Sequence, residues 1–222
     1  MSSAARPEAV VFDCDGLLLD TESAWTRAEV ELYRRHGGEF TLEHKREMVG
    51  TDGETASLMM ERHLGLPGQG ARLRVELLEL VLEEVARSAP PRPGALELVA
   101  ALRGAGVPVG LASNSPRRFV ELALGVAGLT ESFDCVLSAE DVARPKPAPD
   151  IYAESCRRLG VDPAAAVALE DSPTGVAAAK AAGMTVIGVP SLPGVHLPEA
   201  DVAAPSLHAP AVWSTVGLRA AA

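Results

Sequence analysis

Short apolar runs rich in β-branched residues recur along this chain, with one long stretch that reads differently. "EAVVF" (8–12), "VPVGLAS" (107–113), "DCVLS" (134–138), "AVALED" (166–171) and "MTVIGV" (184–189) have the length and composition of strands buried on both faces of a parallel sheet. Segments 94–105, 116–126, 147–159 and 173–182 predict helices between them, most opened by a proline near the first turn and closed by a glycine. This alternation predicts an α/β architecture with a Rossmann-like, doubly wound parallel sheet.

From about residue 20 to about residue 88 the alternation stops. "ESAWTRAEVELYRRHG", "ETASLMMERHLG" and "ARLRVELLELVLEEVARS" place apolar residues at helical spacing and carry no strand pattern. The expected organisation is therefore a catalytic core of residues 1–19 and 89–222, with a helical unit, 20–88, inserted after the first strand. The Leu17–Leu19 turn and the stiff return "APPRPG" (89–94) bound the insertion, and two connections make a natural hinge.

Composition narrows the partners. The 222 residues are 47% apolar, enough for a substantial core, and 30 acidic against 20 basic residues give a net charge of -10. Such a surface repels a polyanion, and no basic stripe with interleaved aromatics is present, so nucleic acid is not an expected partner. A small anionic ligand would need local neutralisation by a metal, a lysine or backbone N–H groups at helix N-termini. Cys14, Cys135 and Cys156 are odd in number, widely spaced and set in apolar stretches, which reads as core residues in a reduced compartment. The start of the chain lacks the apolar core of a signal peptide, and no apolar run approaches the ~18 residues that span a bilayer. The expectation is a cytoplasmic protein with no membrane partner.

In an open α/β sheet, ligands sit beyond the carboxyl ends of the strands. Four such ends carry chemistry: Asp13 and Asp15 after the first strand, Ser113 and Asn114 after the second, Lys146 in the loop after the third, and Glu170 and Asp171 after the fourth. Side chains at i and i+2 of an extended segment share a face, so Asp13 and Asp15 can enter one cleft while Cys14 turns into the core, and Gly16 allows a sharp turn. Asp171 adds a third negative charge, and two such charges ~4 Å apart repel by about 4 kcal/mol at an effective dielectric near 20. A divalent cation removes that cost, and all-oxygen ligands suit Mg²⁺. Lys146 and Ser113, with Gly16 and Asn114, form the candidate phosphate-binding set.

Each group also has a structural reading. Asp-x-Asp-Gly is common in turns, Ser113 and Asn114 could cap the helix near Pro116, "RPKPAP" could be an exposed loop, and Glu170 with Asp171 could cap the helix from Pro173. Their succession at four strand ends favours one phosphoryl-transfer site. There Asp13 is the nucleophile, Asp15 protonates the leaving oxygen and later activates water, and Lys146 with Mg²⁺ offsets the charge on the transferring group.

"DCDG", "ASNS", "RPKPAPDIY" and "LEDSPTGVAAAKAAGM" match in order and spacing the four motifs of the haloacid dehalogenase superfamily, which the chain resembles over nearly its whole length. The inserted helical unit is similar to the cap of the branch holding β-phosphoglucomutase, phosphoglycolate phosphatase and the small-sugar phosphatases. The resemblance implies a mobile cap and a Mg²⁺-dependent aspartyl-phosphate mechanism. By that likeness Asp13 matches the nucleophile and Asp15 the acid/base, whose backbone carbonyl also binds the metal. Glu170 and Asp171 match further metal ligands, and Ser113, Asn114 and Lys146 match phosphate contacts. Dehalogenases of the superfamily lack the second aspartate, so Asp15 argues against that activity.

The positions that grip the sugar phosphate in β-phosphoglucomutases hold Trp25, Val49 and Gly53 here, which weakens a mutase relative to a phosphatase. "ESAWTRAE", "GLASNSP" and "ALEDS" are similar to bacterial hexitol-phosphate and 2-deoxyglucose-6-phosphate phosphatases. Within the cap, Glu22, Trp25, Met48, Thr51 and Asp52 stand where the first cap turn and the "MVGTDG" loop can face the cleft. Trp25 could equally be a packing anchor, and Thr51 and Asp52 could cap the helix from Glu54. Asp20 is expected to fix the hinge turn, and the five histidines, scattered without metal or triad spacing, receive no role. The resulting expectation is a phosphatase for a small phosphorylated metabolite, a sugar or polyol phosphate, acting as a monomer or homodimer. A phosphosugar mutase is the first alternative, and a non-catalytic phosphate-sensing or partner-binding module the second.

Overall fold

A computed structural model describes residues 6–48, 51, 53–192 and 194–219. The first strand, β1 (Ala9–Phe12), is followed by four helices, α1 (Glu22–Arg35), α2 (Leu42–Met48), α3 (Gly53–Leu64) and α4 (Gly70–Arg87). The chain then alternates: α5 (Ala95–Gly104), β2 (Val109–Ala112), α6 (Arg117–Val126), β3 (Cys135–Leu137), α7 (Asp150–Leu159), β4 (Ala166–Glu170), α8 (Pro173–Ala181) and β5 (Thr185–Gly188). A short β6 (Val202–Ala203) and α9 (Pro210–Thr215) complete it.

The strands form one six-stranded parallel sheet in the order β3-β2-β1-β4-β5-β6. Val10 stands between Val109 and Val167, and Phe12 between Leu111 and Leu169. Alternation along β1 feeds two cores: Val10 and Phe12 pack with Leu98, Leu102 and Phe119, while Ala9 and Val11 pack with Ile151, Tyr152, Cys156 and Val176. The chain runs from β1 outward to β3 and then returns to the other side of β1 at β4, which makes the carboxyl ends of β1 and β4 the topological switch point. This is the Rossmann-like core with an inserted helical cap that the alternation predicts.

The cap forms because α1 and α4 each present an apolar stripe at three- and four-residue spacing, Ala24, Ala28 and Leu32 against Leu73, Leu77 and Leu80. His44 and His63 stack with ring centroids 4.2 Å apart, and the Tyr33 hydroxyl lies 2.8 Å from His63 Nδ1, which seats α2 and α3 on α1. The two chain connections run side by side: Asp20 N donates to Pro90 O at 2.8 Å, Arg92 N donates to Leu18 O at 2.8 Å, and Leu19 bridges Pro91 in antiparallel fashion.

The differences from the sequence pattern are local. Helix α2 has only Leu42 and Met48 as strongly apolar residues, too few for a periodic signal. Strand β6 is two residues long and takes its stability from pairing with β5. The helix expected from 147 begins at Asp150, because Pro147 and Pro149 bias their preceding residues away from helical backbone. Cys14, Cys135 and Cys156 are free and buried. Among the described residues no helix is long and apolar enough to cross a membrane.

Candidate active site

The end of β1 turns sharply. Asp13 N donates to Leu169 O at 2.9 Å, the Cys14 carbonyl accepts from Leu18 and Leu19, and Gly16 adopts a left-handed φ of 81°. A Cβ at Gly16 would stand 2.3 Å from Asp171 Oδ2, so both the conformation and the close approach demand glycine. Cys14 is fully buried, and Asp13 and Asp15 both line the same cleft.

Lys146 ties together two acidic side chains and one backbone carbonyl from three strand ends. Its Nζ donates to Asp13 Oδ1 at 2.6 Å, to Glu170 Oε1 at 2.5 Å and to Ala112 O at 2.9 Å. The Tyr152 hydroxyl donates to the same Glu170 oxygen at 2.6 Å, and the Lys146 ammonium sits 5.0 Å from the centre of the Tyr152 ring. Glu170 Oε2 accepts from Asp171 N and from the Ser172 backbone and hydroxyl. Gly175 leaves room for that carboxylate, since a Cβ there would fall 1.9 Å from it.

The balance of charge is incomplete. Burial drives the Asp13 carboxyl well above the usual carboxylate range, with Lys146 opposing and Glu170 and Asp15 adding to the rise. Burial, then Asp13 and Glu170, push Asp171 the same way. Burial works against the Lys146 charge, but Asp13 and Glu170 outweigh it and raise its pKa. Oxygens of Asp13, Glu170 and Asp171 lie within 4.8 Å of one another and could hold a metal ion. Asp13 Oδ2 is buried with no hydrogen-bond partner, an orphan that a cation would satisfy. The all-oxygen donor set fits a hard divalent ion.

Asp15 faces the other way. Its Oδ1 accepts from Thr21 Oγ1 at 2.7 Å and from Trp25 Nε1 at 3.3 Å, and its Oδ2 accepts from Ser113 Oγ at 3.1 Å and Ser115 Oγ at 2.8 Å. The Asp15 carboxylate is outside the acidic cluster, which leaves its backbone carbonyl as the atom for the metal contact that the motif resemblance implies. Ser113 is fully buried, with its hydroxyl also accepting from Ser115 N, so Ser115 rather than Ser113 lines the cleft. The Asn114 side chain clamps the Lys146 backbone, donating to its carbonyl at 3.0 Å and accepting from its N–H at 2.9 Å.

A cleft of about 580 Å³ lies between the strand ends and the cap. Glu22, Trp25, Met48 and Thr51 line it from the cap side. The Thr51 hydroxyl donates to Met48 O at 2.8 Å, closing the turn after α2 instead of capping the next helix. Asp52 and Val49 lie outside the described residues. Asp20 joins the paired connections through its backbone N–H. Sequence reasoning missed Thr21, Ser115 and Tyr152, and also Lys45, whose buried ammonium on α2 lies 2.9 Å from Glu29 and 3.1 Å from Glu22. The local signals were the position of Tyr152 at the end of "RPKPAPDIY" and of Ser115 at the end of "ASNS".

A switch-point cleft with a carboxylate trio, a buried lysine and a capping insertion is the architecture of a phosphoryl-transfer enzyme built on an α/β core. The model of the haloacid dehalogenase-like hydrolase family matches residues 7–183, and the chain belongs to that family. It is 36% identical over 195 residues to hexitol phosphatase B of Escherichia coli, covering 86% of this chain and 87% of that protein. Validoxylamine A 7'-phosphate phosphatase of Streptomyces hygroscopicus subsp. limoneus is 33% identical over 203 residues, with 88% and 92% of the two chains covered. The crystal structure of CbbY from Rhodobacter sphaeroides in complex with xylulose-(1,5)bisphosphate superposes with a TM-score of 0.80 at 31% identity, covering 90% of this chain and 95% of that one.

Proposed function

We propose that this protein is a Mg²⁺-dependent phosphatase that hydrolyses the monoester of a small phosphorylated metabolite, a sugar or polyol phosphate, through a covalent phosphoryl group on Asp13. The observation that carries the reading is Asp13 itself: one oxygen is fixed by Lys146, the other is buried without a partner, and the group opens onto the same cleft as Asp15.

Asp13 attacks phosphorus as the ester P–O bond breaks, and Asp15 gives its proton to the departing alkoxide. Asp15 then takes a proton from the water that cleaves the aspartyl-phosphate, which releases inorganic phosphate and restores Asp13. Lys146 and the backbone around Gly16, Ser113 and Asn114 orient the phosphoryl oxygens. Asp13, the Asp15 carbonyl, Glu170 and Asp171 would hold Mg²⁺, which when bound supplies neutralising positive charge at the transferring group. We assign residues 20–88 to a cap that closes over the ester by bending at the paired connections near Leu19 and Pro91, excluding bulk water. Three free buried cysteines support placement in the reducing cytoplasm.

Phosphate release from a panel of sugar, polyol and glycolate phosphates tests the reading. Turnover of sugar or polyol phosphates that a chelator abolishes and Mg²⁺ restores is the expected outcome. An isomerisation that depends on a bisphosphate and outpaces phosphate release would overturn it in favour of a mutase.

A further inference from the structure

Trp25 is held at the boundary between cap and core in a way that packing alone does not require. It belongs to α1, yet its indole lies against Phe119 of α6, with ring centroids 5.3 Å apart, and its Nε1 donates to Asp15 Oδ1. Asp15 thus receives hydrogen bonds from two directions. Ser113 and Ser115, beyond β2, hold Oδ2 from the core, while Thr21 and Trp25 hold Oδ1 from the entry to the cap. Opposed donors on the two oxygens fix the rotation of a carboxylate that a single pair would leave free.

Trp25 differs from the other three donors. Thr21 and the two serines are short side chains at segment ends, whereas Trp25 is a rigid group one turn inside α1, so any shift of that helix across the core displaces its N–H from Asp15. At 3.3 Å the bond is at the long end of the range, as catalytic hydrogen bonds in unliganded enzymes commonly are.

Building on the hydrolase reading above, we infer that Trp25 is a positioning residue: it aims the Asp15 carboxyl at the leaving-group oxygen and makes that aim depend on where the cap sits. Trp25 does not itself exchange a proton or grip the substrate's carbon chain. Its removal should therefore matter in proportion to how much help the leaving group needs.

The test uses substituted phenyl phosphates of similar shape, whose phenols span about three pKa units and whose need for a proton rises with phenol pKa. Trp25→Phe retains a ring against Phe119 and removes the N–H. In the wild type kcat/KM should vary little across the series. In the variant it should fall increasingly steeply, so that the ester of the least acidic phenol loses about tenfold more than the ester of the most acidic one. A uniform loss across the series, whether from damaged packing, weaker substrate binding or failure to fold, would overturn the inference and leave the hydrolase reading standing. A wild type that releases phosphate neither from these esters nor from any sugar or polyol phosphate would overturn both.

Discussion

Two buried lysines line opposite walls of one cleft, and each is enclosed by a pair of carboxylates. On the core side Lys146 lies 2.6 Å from Asp13 and 2.5 Å from Glu170, and on the cap side Lys45 lies 2.9 Å from Glu29 and 3.1 Å from Glu22. The resemblance ends there. The core cluster adds a third acid, Asp171, whereas no third acid joins Lys45, Glu22 and Glu29 in a metal-binding arrangement among the described residues, although each cluster leaves one carboxylate oxygen, Asp13 Oδ2 or Glu22 Oε2, without a hydrogen bond. Burial works against both lysine charges, and in both the neighbouring carboxylates outweigh it. A lysine among acids is therefore not a sign of catalysis by itself. The core cluster is distinguished by its third acid, which leaves a larger excess of negative charge over its lysine than the cap pair has, gathered at the carboxyl ends of two adjacent strands.

The largest effect should come from removing the attacking oxygen. Asp13→Asn is expected to lower turnover of an aryl phosphate by roughly four orders of magnitude or more. Because it also relieves a crowded set of negative charges, its melting temperature should equal or exceed that of the wild type. A variant with appreciable phosphate release would break the assignment of the core cluster to chemistry.

Cation binding separates the clusters next. At a hundredfold excess over Kd a bound ion stabilises by about 2.7 kcal/mol, or roughly 5–10 °C for a chain of this size. Thermal melts should show that shift on adding Mg²⁺ to the wild type and to Glu29→Gln, and should lose it in Asp171→Asn. An equal shift in all three would mean that the ion sits elsewhere.

Removing each lysine sharpens the contrast. Lys146→Met leaves Asp13 and Glu170 buried and facing each other, at a cost of about 3–5 kcal/mol. Mg²⁺ should recover part of that loss, since it offers the same acids a second source of positive charge. Lys45→Met should cost about 2 kcal/mol, because Glu22 lines the cleft and is partly exposed, and Mg²⁺ should recover none of it. Chemical denaturation with and without Mg²⁺ measures both.

The core cluster was legible in the sequence because topology assembled it. A parallel sheet delivers the end of every strand to one edge, so Asp13, Lys146, Glu170 and Asp171 could be grouped without knowing any side-chain geometry. The cap cluster had no such guide. Lys45 meets Glu29 only because α2 folds back on α1, and that depends on aromatic packing among Tyr33, Phe40, His44 and His63. Tyr152 escaped notice for a similar reason. It lies on α7, beneath the sheet, and reaches Glu170 through the core instead of from a strand end. Trp25 was seen as either a packing anchor or a cleft residue, and it is both, since the indole ring packs on Phe119 while its N–H reaches Asp15.

The smallest predicted difference lies within the cap cluster. Glu29 is buried and accepts a hydrogen bond from Lys45 at 2.9 Å, while Glu22 Oε2, at 3.1 Å from the same ammonium, is off the line of its N–H bonds and has no hydrogen-bond partner. Burial raises the Glu29 pKa, and Lys45 only partly offsets that rise. Glu29→Gln keeps the shape and one acceptor but gives up the charge opposite Lys45, for a loss of about 1–2 kcal/mol. Glu22→Gln should cost about 0.5 kcal/mol or less, the size of a partly exposed ion pair without hydrogen-bond geometry. Glu22 stands in the cleft with an oxygen held in the cap only by its ion pair with Lys45, so its replacement should instead raise KM for a sugar or polyol phosphate by a few-fold, the loss of one hydrogen bond to a substrate hydroxyl. If denaturant midpoints of the two variants came out in the opposite order, Glu22 would be the acid that holds Lys45 and Glu29 the one left free for the substrate.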